Sequence, residues 1–484
     1  VFNPLPFERN EAPQVFIDFP REKLYRAFSI YDDQGQKVSH QVLSLEESYV
    51  IPIEPHELPT SYYTTKWKVA FEAKNLPALG FKTFTVKPEE GRKSNYGSQI
   101  TATNTLENEF LKVKIEPNGT LTITDKNSGA VYPNLLWFED CGESGDPWSR
   151  IPPVGDGNLI YNSLGNSAEI RQVCDGPLTT TFAIKIKMNL PAEVIRSTKK
   201  RSAVEKELPI TTFITLHKGD PKLHLAIDLD NTIKDHRLRI MFDSGFRPEK
   251  SISSGQFDVL ERAVFLPDTS DWLEPYTGTQ PNNGGVWVEN GKRGLAVLNF
   301  GLPEYEVFDN ESGTVAMTLL RGFGYPKMSG IAREDLVERV GNEGSQCLGI
   351  QHYELDLFFY SGDWQTAGVL RHEREHKYPV MSVHHGRFAG KGLTKCESFL
   401  KIEPETLYLT ALEKSESGQD YVARFYNPSE DTVEALLQLK FPVNQAVALD
   451  LNEEPALEIK IDDPCRIKIT VSKKKIISVL LKHA

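Results

Sequence analysis

Residues 223–229 read LHLAIDL, with Leu223, Leu225, Ile227 and Leu229 alternating with His224, Ala226 and Asp228. Side chains two residues apart share one face of a β-strand, so this spacing predicts a strand with one buried face and one wet face. The same period recurs in the stretches 184–188 and 67–71, where Ile184 and Trp67 begin the apolar set. The alternation predicts a mainly β protein.

A second β signal lies at residues 110–124. Two alternating runs, 110–115 and 120–124, flank the sequence Glu116-Pro117-Asn118-Gly119. An Asn-Gly pair between alternating runs is the strongest short-range signal for a β-hairpin. The chain shows neither a strand–helix–strand rhythm nor a glycine-rich phosphate loop, so Rossmann and P-loop folds have no support.

Composition excludes several classes of protein. The chain has 484 residues and a net charge of −12, without a basic stripe, which argues against nucleic-acid binding. It has no apolar run long enough to cross a bilayer, which argues against a membrane protein. Its five cysteines are scattered without a C-x-x-C pair, which favours reduced thiols in a cytoplasmic protein. The sequence starts at Val1 without Met, and we expect it to be the downstream part of a longer protein.

Two polar, turn-rich stretches predict domain boundaries. Residues 88–97 follow a strand that ends at Val86, and residues 384–392 are rich in glycine and basic residues. They divide the chain into a small β-sandwich at 1–90, a large β domain at 96–385 and a small C-terminal β-sandwich at 393–484. Short strands separated by turn residues characterise the last of these.

The segment His372-Glu373-Arg374-Glu375-His376 matches the zinc-protease pattern H-E-x-x-H. We predict a helix that Asp363 caps and that runs through His376, so both histidines would share a face. Pro379 would end this helix, and no further histidine follows at metzincin spacing. Arg374 and Glu375 suit a solvated surface, so we interpret the segment as a charged, exposed helix end, with metalloprotease activity as a rival hypothesis.

Two loops combine acids with tryptophan, a composition typical of sugar sites. The first, residues 138–150, carries Asp146, Trp148 and Arg150, and the second, residues 268–274, carries Trp272. Tryptophan can stack on the apolar face of a sugar, while Asp or Arg can hold hydroxyls or an anionic group. The structural alternative is a surface loop whose tryptophan packs inward. Asp235 and His236 form another tempting pair, but neighbours in a strand point to opposite faces, which favours a strand-end charge network.

An ordered set of motifs resembles glycoside hydrolase family 38, the α-mannosidases, and is most similar to the bacterial members. The motifs cover nearly the whole chain; they are the segments 1–9, 79–84, 107–113, 118–121, 235–239, 301–307, 319–321, 409–414 and 424–427. Each motif is weak by itself, but the order is specific. The resemblance implies a large galactose-mutarotase-like β-supersandwich between two small β-sandwiches.

The resemblance also implies a function for a parent enzyme, a retaining zinc-dependent α-mannosidase. The nucleophile, the acid/base and the zinc ligands are expected upstream of Val1, so this chain would hold no catalytic residue and no metal. It would support the upstream catalytic domain of the same polypeptide and line its mannoside cleft with Asp146, Trp148 and Arg150. Relatives commonly have Tyr where this chain has Trp148. Trp148 could stack on the sugar but could not donate a phenolic hydrogen bond. The substrate would be mannosylglycerate or a short manno-oligosaccharide.

The main rival hypothesis is a stand-alone carbohydrate-binding or mutarotase-like β-supersandwich protein without hydrolase activity. The sequence leaves the linkage, phosphorylation of the sugar and the oligomeric state open, a homo-oligomer included.

Overall fold

A computed structural model describes the whole chain except residues 24, 52–57, 59–60, 90–96, 146–149, 196, 273–275, 325–342, 386–393, 417 and 484. About 55% of residues lie in strands and 5% in helices, which confirms the mainly β fold class. The chain divides into two compact units. Unit 1 contains Val1–Ser98, Gly176–Thr179 and Leu370–Ala484, and unit 2 contains Gln99–Asp175 and Thr180–Val369. Among the described residues, no helix is both long and apolar enough to cross a membrane.

Two large antiparallel sheets build unit 2. The ten-stranded sheet follows the order Ile100–Ala102, Thr105–Glu107, Leu111–Ile115, Leu121–Asp125, Val131–Gly142, His236–Asp243, Thr314–Arg321, Glu304–Val307 and Gln280–Pro281, with Ile160–Asn162 beside Val131–Gly142. The nine-stranded sheet follows the order Glu169–Cys174, Thr179–Pro191, Glu205–His217, Lys222–Asn231, Gly349–Tyr360, Gly294–Asn299, Gly285–Glu289, Lys250–Ser254 and Val259–Ala263. Val194–Ile195 and Lys200–Arg201 form a separate pair.

The core of unit 2 lies between these sheets. Leu223, Leu225, Ile227 and Leu229 point inward from the nine-stranded sheet, as their spacing predicts, and join one apolar cluster with Leu238, Ile240 and Phe242 of the ten-stranded sheet. Full burial of one such side chain stabilises the fold by about 1.5–3 kcal/mol. The period of two therefore fixes which side chains of strand His236–Asp243 are left for the outer face.

The predicted hairpin is confirmed. Strands Leu111–Ile115 and Leu121–Asp125 are antiparallel neighbours, with Val113 opposite Ile123. Residues 116–119 form the turn, and Gly119 has a φ of +89°, a conformation that a residue with a Cβ adopts only under strain.

The described residues of unit 1 form six small sheets. They are Phe2–Asn3 with Gly80–Lys82 and Cys396–Ser398; Thr85–Glu89 with Ala27–Tyr31 and Lys37–Val38; Arg9–Glu11 with Ala73–Leu76; Gln14–Pro20 with Tyr62–Phe71 and His40–Val50; Leu400–Glu403 with Val433–Leu439 and Arg466–Val471; and Tyr408–Lys414 with Tyr421–Tyr426, Ile476–His483, Val443–Leu449 and Pro455–Ile459. The first sheet joins three segments that are distant in sequence around Gly80, where a Cβ would lie 2.0 Å from the Glu397 carbonyl oxygen.

Two short α-helices stand where one is predicted. Asp363 caps helix Trp364–Ala367 by accepting from the Thr366 backbone N–H at 2.9 Å, which confirms the predicted cap. Gly368, at a φ of +73°, separates this helix from helix Val369–Lys377, which ends before Pro379 as predicted. Single 3₁₀ turns occur at Arg21–Lys23 and Glu343–Gln346.

The interpretation of residues 372–376 as an exposed helix end is wrong. Glu373 and Arg374 are each only 1% exposed. Arg374 donates to the backbone carbonyls of Leu370, Leu407 and Glu405 and lies between the rings of Phe7 and Tyr408. Long-range contacts of this kind bury a charge that the local sequence presents as surface-like.

The two histidines of this segment have no metal-ligand neighbourhood. His372 Nδ1 lies 2.9 Å from the Glu375 carboxylate, and Glu373 forms an ion pair with Lys377 at 3.0 Å. Within the described residues, His, Cys, Asp and Glu side chains form no group of three or more that could hold a metal ion.

Candidate functional site

The strand His236–Asp243 separates two chemical environments in unit 2. Leu238, Ile240 and Phe242 enter the core, so Arg237 and Arg239 project from the opposite face of the ten-stranded sheet. The neighbouring strand Val131–Gly142 places Glu139 opposite Arg239 and Cys141 opposite Arg237. Directly opposite residues have side chains on the same face, so this register gathers charge at one place.

A cavity of about 200 Å³ lies on this outer face, and we call it the arginine cavity. Three arginines and two glutamates contribute its charge, and hydroxyl, amide, thiol and apolar groups complete it. The lining residues are Glu139, Cys141, Arg150, Asn158, Ile160, Arg237, Arg239, Thr277, Thr279, Glu306 and Phe308.

Arg239 is a fully paired charge in this cavity. Its guanidinium donates to Glu139, with Nε 3.0 Å from Oε1, and to Glu306. Burial alone would lower the pKa of Arg239, but the Glu139 and Glu306 carboxylates outweigh it and raise the pKa. Because Arg239 occupies both carboxylates, we assign this group a structural role.

Arg237 is buried without comparable pairing. It is 3% exposed, and its nearest carboxylate oxygen, on Glu304, lies 3.5 Å from Nη1. Nε has no hydrogen-bond partner, and no described residue accepts a hydrogen bond from the guanidinium. Burial lowers the pKa of Arg237, and the positive charges of Arg239 and Arg150 lower it further. The cavity thus contains a cation whose donors find no hydrogen-bond acceptor in the described part of the chain.

Arg150 is the one of the three predicted substrate-binding residues that the structure describes. It lines the arginine cavity and donates from Nη2 to the Asn158 side-chain oxygen, while its Nε is buried without a hydrogen-bond partner among the described residues. Asp146 and Trp148, the other predicted substrate-binding residues, lie outside the described residues. Arg150 therefore connects the predicted loop with the two strand arginines.

Glu143 anchors the base of this loop. Its Oε1 accepts the backbone N–H groups of Gly145 at 2.7 Å and Ile151 at 3.0 Å, and its Oε2 accepts from Arg321 at 2.8 Å. These bonds hold together the two ends of residues 145–151, so Glu143 helps to position Arg150.

A buried network of hydrogen bonds and ion pairs joins His236, Asp140 and Arg201. His236 Nδ1 lies 2.6 Å from Asp140 Oδ2, and Arg201 pairs with the other oxygen of Asp140 at 2.5 Å. Asp235 instead accepts from the Gln346 side chain at 2.7 Å, so Asp235 and His236 do not bind each other. This geometry agrees with the strand-end charge network, because His236 and Asp140 are fully buried and cannot reach a ligand.

The second predicted loop is exposed. Trp272 has 56% of its surface accessible, so it does not pack inward, and Leu273 and Glu274 lie outside the described residues. A larger recess, of about 570 Å³, is lined largely by apolar residues such as Leu302 and Leu320. Neither feature brings together a set of converging polar groups as the arginine cavity does.

Two segments of the chain match models of a known protein family. Residues 106–329 match the model described as glycosyl hydrolases family 38 C-terminal domain, and residues 406–479 match the family 38 C-terminal beta sandwich domain. The chain belongs to glycoside hydrolase family 38. The resemblance seen in the sequence is confirmed, and the arginine cavity lies in the first of these two family 38 matches.

Two curated relatives of this family 38 chain align with most of it. A putative mannosylglycerate hydrolase of Halalkalibacterium halodurans is 26% identical over 409 residues, covering 81% of this chain and 43% of the relative. Human alpha-mannosidase 2C1 is 22% identical over 400 residues, covering 78% of this chain and 33% of the relative. The chain thus spans less than half the length of either relative.

Solved structures share the fold. An alpha-mannosidase from Enterococcus faecalis V583 superposes with a TM-score of 0.86 at 23% identity, covering 99% of this chain and 55% of that chain. A second family 38 protein from Enterococcus faecalis gives a TM-score of 0.84 at 23% identity, covering 57% of its chain.

Sequence reasoning missed most of the cavity. Glu139 belongs to the stretch 138–150 predicted as a loop, of which the structure places residues 138–142 in strand Val131–Gly142, and nothing in the local sequence marks Glu306, Thr277 or Thr279 as its neighbours. The signal for Arg237 and Arg239 was present, because a strand with Leu238 and Ile240 inward must present both arginines on the other face.

Proposed function

We propose that this chain is the non-catalytic C-terminal β region of a retaining, zinc-dependent α-mannosidase, and that it supports and lines the substrate cleft of a catalytic domain in the same polypeptide. The substrates would be α-mannosides such as mannosylglycerate or short manno-oligosaccharides. The observation that carries the proposal is the ordered match of two different family 38 C-terminal models to residues 106–329 and 406–479.

The chemistry of the cavity supports a binding role over a catalytic one. A retaining glycosidase uses a nucleophilic carboxylate and an acid/base carboxyl about 5–5.5 Å apart. The two carboxylates of the arginine cavity, Glu139 and Glu306, both accept from Arg239 and are held by it. A carboxylate engaged in this way is not free to attack a sugar or to pass a proton, so this cavity would hold neither the nucleophile nor the acid/base.

The proposed substrate-binding residues remain Asp146, Trp148 and Arg150, and the position of Arg150 in the cavity supports its assignment. Hydroxyl and amide groups from Asn158, Thr277 and Thr279 also line this cavity and match the hydroxyls of a sugar or its aglycone.

Zinc would bind outside this chain. Zinc in a catalytic site usually takes three protein ligands from His, Asp, Glu or Cys. The described residues provide no such group, so they do not fit the metal, and no step of the reaction is assigned to it here. We also propose a bacterial cytoplasmic location, which the five free, dispersed cysteines support.

The test begins with the DNA upstream of Val1. We expect an open reading frame that continues for several hundred codons and whose full product hydrolyses p-nitrophenyl α-D-mannopyranoside or mannosylglycerate with retention, measured by NMR. The 484-residue chain alone should show no turnover, with or without added zinc.

Two results would contradict this proposal. Turnover by the 484-residue chain alone would remove the claim that it is non-catalytic. A stop codon immediately upstream, together with mannoside binding by the chain, would favour the stand-alone carbohydrate-binding protein.

A further inference from the structure

The starting observation is the unequal pairing of Arg237 and Arg239, which lie two residues apart on one face of strand His236–Asp243. Arg239 has two carboxylate partners, whereas Arg237 has one distant carboxylate and an Nε that no described residue pairs with. A buried charge is costly unless it is paired and hydrogen-bonded, so a folded protein normally satisfies such a group. Arg237 therefore indicates a ligand that completes its hydrogen bonds.

Arg150 points to the same place. It lines the same cavity as Arg237, its Nε is also buried and unpartnered among the described residues, and its charge acts on Arg237. Two guanidinium groups that approach each other in a cavity repel unless an anion lies between them. Guanidinium groups bind carboxylates and phosphates in a planar, two-pronged geometry, and such bonds are shorter and stronger than neutral ones.

The charge of the lining selects between these two anions. Three arginines and two glutamates line the cavity, and Glu304 lies 3.5 Å from Arg237, so three carboxylates already balance three cations. Each further negative charge on a ligand meets repulsion from these carboxylates, which favours a monoanionic carboxylate over a phosphate near its dianionic form. A volume of about 200 Å³ also holds a small ligand and not an oligosaccharide.

We propose that the arginine cavity binds the carboxylate of a small hydroxy acid, with Arg150 and Arg237 as its two anchors and Thr277 and Thr279 facing its hydroxyls. The inference rests on the proposed function, because such an acid would be the aglycone of an anionic mannoside. It would make the cavity the site that distinguishes charged from neutral mannosides.

The test is ligand binding to the 484-residue chain, measured by isothermal titration calorimetry and ligand-observed NMR. Sodium D-glycerate is the probe, and glycerol is its neutral match, since the two differ by a carboxylate in place of a hydroxymethyl group. We expect glycerate to bind at least about tenfold more tightly than glycerol, a difference of about 1.4 kcal/mol. Inorganic phosphate at pH 8 should bind more weakly than glycerate.

Two variants locate the binding. Arg237→Met should weaken glycerate binding at least about tenfold and leave the weak glycerol signal unchanged. Arg247→Met is the matched control, because Arg247 is an exposed arginine paired with Asp309 in the same unit, and it should bind glycerate like the parent chain. Circular dichroism and the unfolding midpoint establish that both variants are folded, and Arg150→Met provides an independent second probe if Arg237→Met does not fold.

Three results would overturn the carboxylate site: equal binding of glycerate and glycerol, glycerate binding that survives both Arg237→Met and Arg150→Met, or phosphate binding tighter than glycerate. Since turnover is not measured, the outcome is separable from the proposed function. A chain that binds glycerate while the longer protein lacks mannosidase activity keeps this site and loses the enzyme assignment, and the reverse pattern loses only this site.

Discussion

Two buried arginines in different units show what completes a charge inside this protein. Arg374 in unit 1 donates to three backbone carbonyls and lies between two aromatic rings, whereas Arg237 in unit 2 donates to no described residue. Both are almost inaccessible, and burial lowers the pKa of each. Burial alone therefore does not reveal a role. The backbone and two rings supply the partners of Arg374, which marks a structural residue, whereas Arg237 has no hydrogen-bond acceptor among the described residues, the basis of the ligand site proposed above.

The largest loss of stability is expected when Arg374, the arginine with a full set of partners, is replaced. Arg374→Met removes a donor from three buried carbonyls, and each unpaired buried group costs about 1–3 kcal/mol, so we expect the unfolding free energy to fall by about 3 kcal/mol or more. Urea unfolding followed by circular dichroism measures the loss. Arg371→Met on the same helix is the control, because its ion pairs with Glu375 and Glu405 are partly exposed and should contribute less than about 1 kcal/mol. Equal losses would contradict the contrast.

A pH experiment extends the comparison to His224, a charged histidine that pairs with two carboxylates. His224 lies 2.7 Å from Asp356 and 2.9 Å from Asp220, beside Lys222 and His217. Burial alone would lower the pKa of His224, but the two carboxylates outweigh it and raise the pKa to about 10.

Because this pKa lies above the unfolded value of about 6.5, the stabilisation is complete below pH 6.5 and is lost as pH rises towards 10. The expected slope is at most about 1.4 kcal/mol per pH unit. Burial lowers the pKa of His217 to about 4, so His217 acts only on the acid side. Urea unfolding between pH 6.5 and 9.5 should show this slope in the parent chain and a flatter profile in His224→Gln. Parallel profiles would show that this ion group does not set the pH dependence.

A smaller effect is expected where solvent can replace a lost partner. Asp363 caps helix Trp364–Ala367 through the Thr366 N–H and hydroxyl groups, and Asp363→Ala should cost about 1 kcal/mol, the usual value of an N-cap. Asp363→Ser retains an acceptor and should recover most of this loss. Thermal unfolding of the two variants is the measurement, and an Asp363→Ser chain as unstable as Asp363→Ala would argue against the cap.

The smallest change in stability is expected when Arg237, the arginine without a full set of partners, is replaced. Arg237→Met replaces a poorly paired buried charge by an apolar side chain of similar length, a change that is often neutral or stabilising. We expect the unfolding free energy in ligand-free buffer to change by less than about 1 kcal/mol. A loss as large as that of Arg374→Met would show that Arg237 holds the fold together.

The sequence predicted the parts of the fold that local periodicity controls. The alternation at 223–229, the turn at 116–119 and the cap at Asp363 are all set by neighbouring residues, and all three are confirmed. The predicted boundaries fall largely on residues 90–96 and 386–393, outside the described part of the chain, and remain predictions.

Long-range contacts limited the rest. Arg374 looked like surface because Phe7 and Tyr408, its stacking partners, are distant in sequence. The arginine cavity was hidden for the same reason, since Arg150 from a loop and Arg237 from a strand line it although they are distant in sequence. The local sequence predicts the face of the sheet on which Arg237 lies. It does not predict how far Arg237 lies from a carboxylate partner.

The sheet that joins Phe2–Asn3, Gly80–Lys82 and Cys396–Ser398 has a consequence for how the protein is made. Cys396 pairs with Lys82 across about 300 residues, so at a synthesis rate of roughly 5–20 residues per second the first strands leave the ribosome some 15–60 s before their partner. During that interval one edge of Gly80–Lys82 is open to pairing with other nascent chains. The strand Cys396–Ser398 is thus translated long after the two strands that it completes, and ribosome pausing within the intervening residues would lengthen the interval in which mispairing can occur.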